Sequence, residues 1–77
     1  MNINVRNLSP TTSREELLDC FTEYGSVSDV SVSTYTVKGI WRATGLVEMP
    51  SSVQGQASID ALQGKELDGN LLDIYKE

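Results

Sequence analysis

Residues 2–25 read NINVRNLSPTTSREELLDCFTEYG, and a switch of hydrophobic period within this stretch decides the fold. From Asn2 to Leu8 apolar and polar residues alternate, Ile3 and Val5 to one side, Asn4 and Arg6 to the other. That is the pattern of a half-buried strand. Pro10 cannot donate to a strand ladder, so Ser9-Pro10-Thr11-Thr12 is a turn. Ser13-Arg14-Glu15-Glu16 then has the form of a capping box, with Ser13 as N-cap and Glu16 reaching back to it. Leu17, Leu18, Phe21 and Tyr24 follow at helical spacing, and Gly25 supplies the stop.

Working outward, Val27, Val30 and Val32 form a second strand with Asp29, Ser31 and Ser33 on its other face. A loop is expected around Thr34 to Trp41, with Lys38-Gly39 as a turn inside it. The third strand runs from Arg42 to Met49, where Ala43, Gly45, Val47 and Met49 share a face. Pro50-Ser51-Ser52 ends that strand and opens a second helix capped by Ser51 or Ser52. Ala57, Ile59 and Leu62 should line this helix. Gly55 inside it costs about 1 kcal/mol relative to alanine, and Gly64 ends it. Leu67-Asp68-Gly69-Asn70 is a turn signal, with Leu72 and Ile74 pointing inward on a final strand. Two βαβ-like halves feeding one sheet imply an α+β, ferredoxin-like βαββαβ sandwich: a four-stranded antiparallel sheet with two helices on one face. The other face is left open, and any site is sought there first.

Size and composition bound the function. Seventy-seven residues, 39% hydrophobic and 22% charged, suit one small globular domain spanning residues 1–77. A chain of this length buries only about 60% of its unfolded surface, so each core position counts. No repeat or linker interrupts it, and no apolar run is long enough to span a membrane. The start, Met-Asn-Ile-Asn-Val-Arg, lacks the basic and apolar regions of a signal peptide, so a cytoplasmic location is expected. Cys20 is the one cysteine and there is no histidine. That excludes an internal disulfide and histidine acid–base catalysis, and leaves no metal site and no cofactor expected. Cys20 itself reads as a small apolar residue beside the core of the first helix. The net charge of -5 and pI near 4.5 weigh against tight binding of a phosphate backbone.

Two segments resemble the paired ribonucleoprotein motifs of the RNA recognition motif family. Ile3-Asn4-Val5-Arg6-Asn7-Leu8 is similar to the six-residue motif of the first strand, and Arg42 to Met49 to the eight-residue motif of the third. Glu16-Leu17, Phe21, Tyr24-Gly25-Ser26-Val27, Ile59 to Gly64 and Leu67 to Leu72 look like the family's remaining signatures, in order and at the expected spacing. The resemblance covers nearly the whole chain. It implies single-stranded RNA as the partner, held on the open sheet face and by the loop between the second and third strands. In the family, three positions on that face are usually aromatic and stack bases, each for about 1–3 kcal/mol. Here they are Asn4, Thr44 and Leu46. Losing three platforms weakens binding by roughly a thousand-fold or more.

The remaining candidates follow from strand parity. Arg6 and Arg42 face the open side, where each can meet phosphate or base, or pair with Asp29, Glu48 or Asp73 as a solvated sheet residue. Asn4 and Thr44 can hydrogen-bond a base edge or simply remain wet. Tyr75 is the ring nearest to where a base would stack. Tyr35 and Trp41 are candidate anchors from the loop, unless Trp41 folds back on the sheet edge as a satellite of the core. Leu46, Leu71 and Tyr75 suggest a second use of the face, as a protein-interaction or homodimerisation patch. The acidic run Glu15, Glu16, Asp19 and Glu23 reads as a solvated helix face. An enzyme on this fold has little support, with no convergent carboxylate pair.

Overall fold

The computed structural model describes all residues 1–77. Strand β1 spans Asn2–Leu8, helix α1 Arg14–Thr22, β2 Asp29–Val37, β3 Ile40–Glu48 and helix α2 Ser52–Leu62. Two short strands, β4 (Glu66–Leu67) and β5 (Asn70–Leu71), precede β6 (Asp73–Lys76). The main sheet has the order β2-β3-β1-β6, antiparallel throughout. Ile3, Val5, Leu8, Val30, Ala43, Val47 and Ile74 point from it into a core closed by Leu17 and Phe21 of α1 and Ile59 and Leu62 of α2. The four-stranded βαββαβ sandwich expected from the sequence is therefore the fold that forms.

The local signals work as read at the first helix. Ser13 Oγ accepts from the Glu16 backbone N–H at 3.1 Å, and Glu16 Oε1 accepts from the Ser13 N–H at 3.1 Å. This reciprocal pair satisfies two of the donors that every helix start leaves open. Gly25 is required by a close approach: a Cβ there would run into the Gln54 side chain, which accepts from Ser26 N–H. Ser51 caps α2. The buried side of α2 differs from the expectation, because Gly55 and Ser58 are buried and Ala57 is exposed. Gly55 lets the Met1 side chain lie against the helix, and Ser58 Oγ donates to the Gly55 carbonyl at 2.7 Å. The polar atom is thus satisfied inside the helix, while Ile59 and Leu62 are buried as the sequence indicates.

The larger correction concerns residues 34–41. They form no loop: β2 continues to Val37 and β3 begins at Ile40. Tyr35 pairs with Arg42, Thr36 with Trp41 and Val37 with Ile40. Lys38 (φ 52°) and Gly39 (φ 79°) make a two-residue turn with positive φ at both positions, the type that matches strand twist. All residues from Ser33 to Arg42 are exposed, so this hairpin arm runs beyond the helix layer. With neither face buried, no alternation was imposed on its sequence, and the strand signal was invisible to a periodicity argument. Trp41 is 60% exposed and is no satellite of the core.

At the other end, Asp68 (φ 51°) and Gly69 (φ 87°) form the same kind of turn between β4 and β5. The Gln63 side chain then acts as a surrogate strand for β6: Ile74 N–H donates to its Oε1 at 2.8 Å, and its Nε2 donates to the Ile74 carbonyl. That covers part of an edge that would otherwise be left unpaired.

Candidate nucleic-acid interface

The face opposite the helices carries its side chains in rows fixed by register. One row runs Ser31, Leu46, Asn4, Tyr75 across all four strands. Leu46 (40% exposed) and Tyr75 (38%) flank half-buried Asn4 in that row. Nearer the hairpin arm lie Ser33 beside Thr44, and Arg6 beside Asp73. Beyond them Tyr35 stands beside Arg42. The far end of the face carries Asp29 beside Glu48, with Asn2 next to Glu48. The surface is therefore polarised: acidic at one end, mixed where Arg6 stands beside Asp73, and basic and aromatic toward the arm. An anionic chain is favoured over that last part only.

Two contacts organise the middle of the face. The Arg6 guanidinium lies over the Tyr75 ring, 5.5 Å from its centroid, a cation–π pair worth about 0.5–1 kcal/mol at an exposed site. It holds a cation and a ring together where phosphate and base would be met together. Beside it, the β1–β3 register shifts between Val5 and Leu8. Val5 and Leu8 are both buried while Arg6 and Asn7 are both exposed, so this bulge breaks the alternation. Asn7 takes a left-handed φ of 60°, a conformation asparagine tolerates better than most residues. Its Nδ2 donates to the Leu71 carbonyl at 2.8 Å. Bulges of this kind re-aim side chains next to sites.

Asn7 lines a groove of about 310 Å³ at the base of the hairpin arm, together with Pro10, Tyr35, Trp41, Arg42 and Asn70 among others. Tyr35, Trp41 and Arg42 are thus brought together, though from paired strands and not from a wrapping loop. Asn4, Arg6, Thr44, Leu46 and Tyr75 form the sheet-face group. Asn7 and Asn70 were missed by sequence reasoning. The one available signal was that each is an asparagine at a backbone irregularity, Asn7 before the Ser-Pro turn and Asn70 after Asp-Gly.

Leu71 belongs elsewhere. It lies in β5, outside the main sheet and 60% exposed, with its carbonyl held by Asn7. Leu46 and Tyr75 sit on strands separated by β1, roughly 10 Å apart at ordinary strand spacing, with polar Asn4 between them. The three residues do not make a continuous apolar patch. Cys20, on α1, is half-buried and remote from this face. Burial holds its thiol above the ordinary value; Lys65 opposes the shift, and the Glu23, Asp19 and Glu16 carboxylates add to it.

Comparison with known proteins places this arrangement. The description "RNA recognition motif" matches residues 3–73. The chain is 42% identical over 76 residues to "Putative RNA-binding protein RbpE" of Nostoc sp., covering 99% of this chain and 77% of that protein. It is 40% identical to "Putative RNA-binding protein RbpA" of Synechocystis sp., covering 99% and 75%. Among solved structures, RNA binding protein PG1 superposes with a TM-score of 0.87 at 31% identity, over 100% of this chain and 93% of that one. Over its near-complete length, in sequence and in three dimensions, the chain belongs to the RNA recognition motif family.

Proposed function

We propose that this protein is a binding module for single-stranded RNA, which it holds weakly on the open face of its sheet and against the β2–β3 arm, with no catalytic step. The observation that carries the reading is the uncovered sheet face, with Arg6 over the Tyr75 ring and Leu46 in the same row across Asn4. It offers a base one ring and one apolar side chain, with a guanidinium for the adjoining phosphate. Family membership and the relatives named as RNA-binding proteins support RNA as the class of partner. Weak binding follows from Asn4, Thr44 and Leu46 standing where rings would stack, each absent ring forgoing about 1–3 kcal/mol. It also follows from the net charge of -5.

The test is the salt dependence of binding to a fluorescently labelled mixed-sequence RNA. Only Arg6, Arg42 and Lys38 are disposed to neutralise phosphates, so the log–log slope should be shallow, about -1.4 to -2 for two or three contacts. Arg42→Ala should reduce it by about 0.7. A slope unchanged by Arg42→Ala and Arg6→Ala would remove both arginines from the interface. No detectable binding at low salt would overturn the reading itself.

A further inference from the structure

We infer that the groove at the base of the β2–β3 arm is a pocket for a single nucleobase bearing an exocyclic amine, such as adenine or cytosine, in preference to uracil. This rests on the RNA-binding reading above and locates base selection away from the three positions that lack rings. About 310 Å³ lies at the small end of ligand pockets, enough for one base and too little for a run of them. Tyr35 and Trp41 both line it; they leave opposite faces of the arm by register, and each is a ring of flat apolar surface on which a base can stack. Arg42 lines it too, and Lys38 forms the arm's turn, so the attached phosphates meet positive charge at the one end of the face free of the Asp29–Glu48 pair.

Selectivity comes from Asn7. Its Nδ2 is committed to the Leu71 carbonyl, which also fixes which end of the amide is oxygen. The group left to a ligand is Oδ1, an acceptor. An exocyclic amine satisfies such a site. Uracil has one edge donor, set between two carbonyl oxygens that an acceptor at this position repels. The bulge and the left-handed Asn7 then have a use beyond chain geometry, since they place Asn7 in the groove's lining.

The experiment compares labelled short oligoadenylate, oligocytidylate and oligouridylate by fluorescence anisotropy at low salt. The protein is wild type, Trp41→Ala or Asn7→Gly. Trp41 is largely exposed, and glycine keeps a φ of 60° without strain, so both variants should fold; circular dichroism verifies it. Wild type should favour the amine-bearing oligomers by roughly fivefold or more, one hydrogen bond's worth. Trp41→Ala should weaken all three by roughly tenfold, and Asn7→Gly should bring adenylate and cytidylate down to the uridylate level. Trp41, the only tryptophan, gives a second readout, quenching on binding in the wild type. Equal wild-type affinities with both variants unchanged would overturn the pocket and leave RNA binding elsewhere on the sheet intact. Failure of every oligomer to bind would overturn both.

Discussion

Restoring rings to the sheet face should restore affinity, and the size of the gain can be worked from the structure. Thr44 and Leu46 occupy two of the three positions where stacking rings stand in the family. Leu46 sits between Ser31 and Asn4, and Thr44 is paired with Ser33. These are small polar neighbours that leave room for a ring lying on the face. Neither position belongs to the core, so Thr44→Phe plus Leu46→Phe should leave folding within about 1 kcal/mol of wild type, aided by cross-strand contacts. Each stacked base contributes about 1–3 kcal/mol. Leucine already offers a base some apolar area, so Leu46→Phe gains about 1 kcal/mol and Thr44→Phe about 1–2. Together they give about 2–3 kcal/mol, or roughly 30- to 150-fold tighter binding. The assay is anisotropy with a labelled mixed-sequence RNA at fixed salt, with circular dichroism confirming the fold. A folded double variant whose affinity lies within twofold of wild type would refute the claim that bases rest on this face.

Two further predictions concern stability and protonation. A Cβ on Gly45 would sit 2.6 Å from Leu17 Cδ2 and 3.1 Å from Leu8 Cδ1, both on fully packed residues. Gly45→Ala should therefore cost about 1–3 kcal/mol, lowering Tm by roughly 5–20 °C. Gly55→Ala instead meets the flexible Met1 side chain and gains about 1 kcal/mol of helix propensity, so its Tm should move far less; the reverse order in thermal melts would refute this account of the two glycines. Because burial raises the Cys20 thiol, the stability it contributes is complete below the unfolded thiol's pKa and is lost as pH rises through the folded value. The Tm gap between wild type and Cys20→Ser should thus narrow in alkaline solution, and a gap that widens would contradict it.

What could be read from the sequence tracks what the core imposes on it. Ile3, Val5, Val30, Val47 and Ile74 alternate because one side of each strand faces α1 and α2, and the Ser13–Glu16 box announces its helix chemically. The arm from Ser33 to Arg42 answers to no core, so its residues follow β propensity without alternation and carry no periodic strand signal. Gly55 and Ser58 are buried and Ala57 is not, because small residues can be buried for reasons of fit and internal hydrogen bonding that hydrophobicity does not register. The sheet-face candidates are legible by parity alone. Asn7 is not, since a bulge changes the parity it interrupts, and Leu71 falls outside the main sheet because the short β4–β5 hairpin before β6 leaves no mark on hydrophobic spacing.

The central claim is tested most directly by a heteronuclear NMR titration of the labelled protein with mixed short single-stranded RNA at low salt. Shifts concentrated on Asn4, Arg6, Arg42, Thr44, Leu46 and Tyr75, reaching Tyr35 and Trp41 of the arm and fading as salt rises, are the predicted result. A spectrum unchanged on these residues, or shifts confined to the helix side, would contradict it.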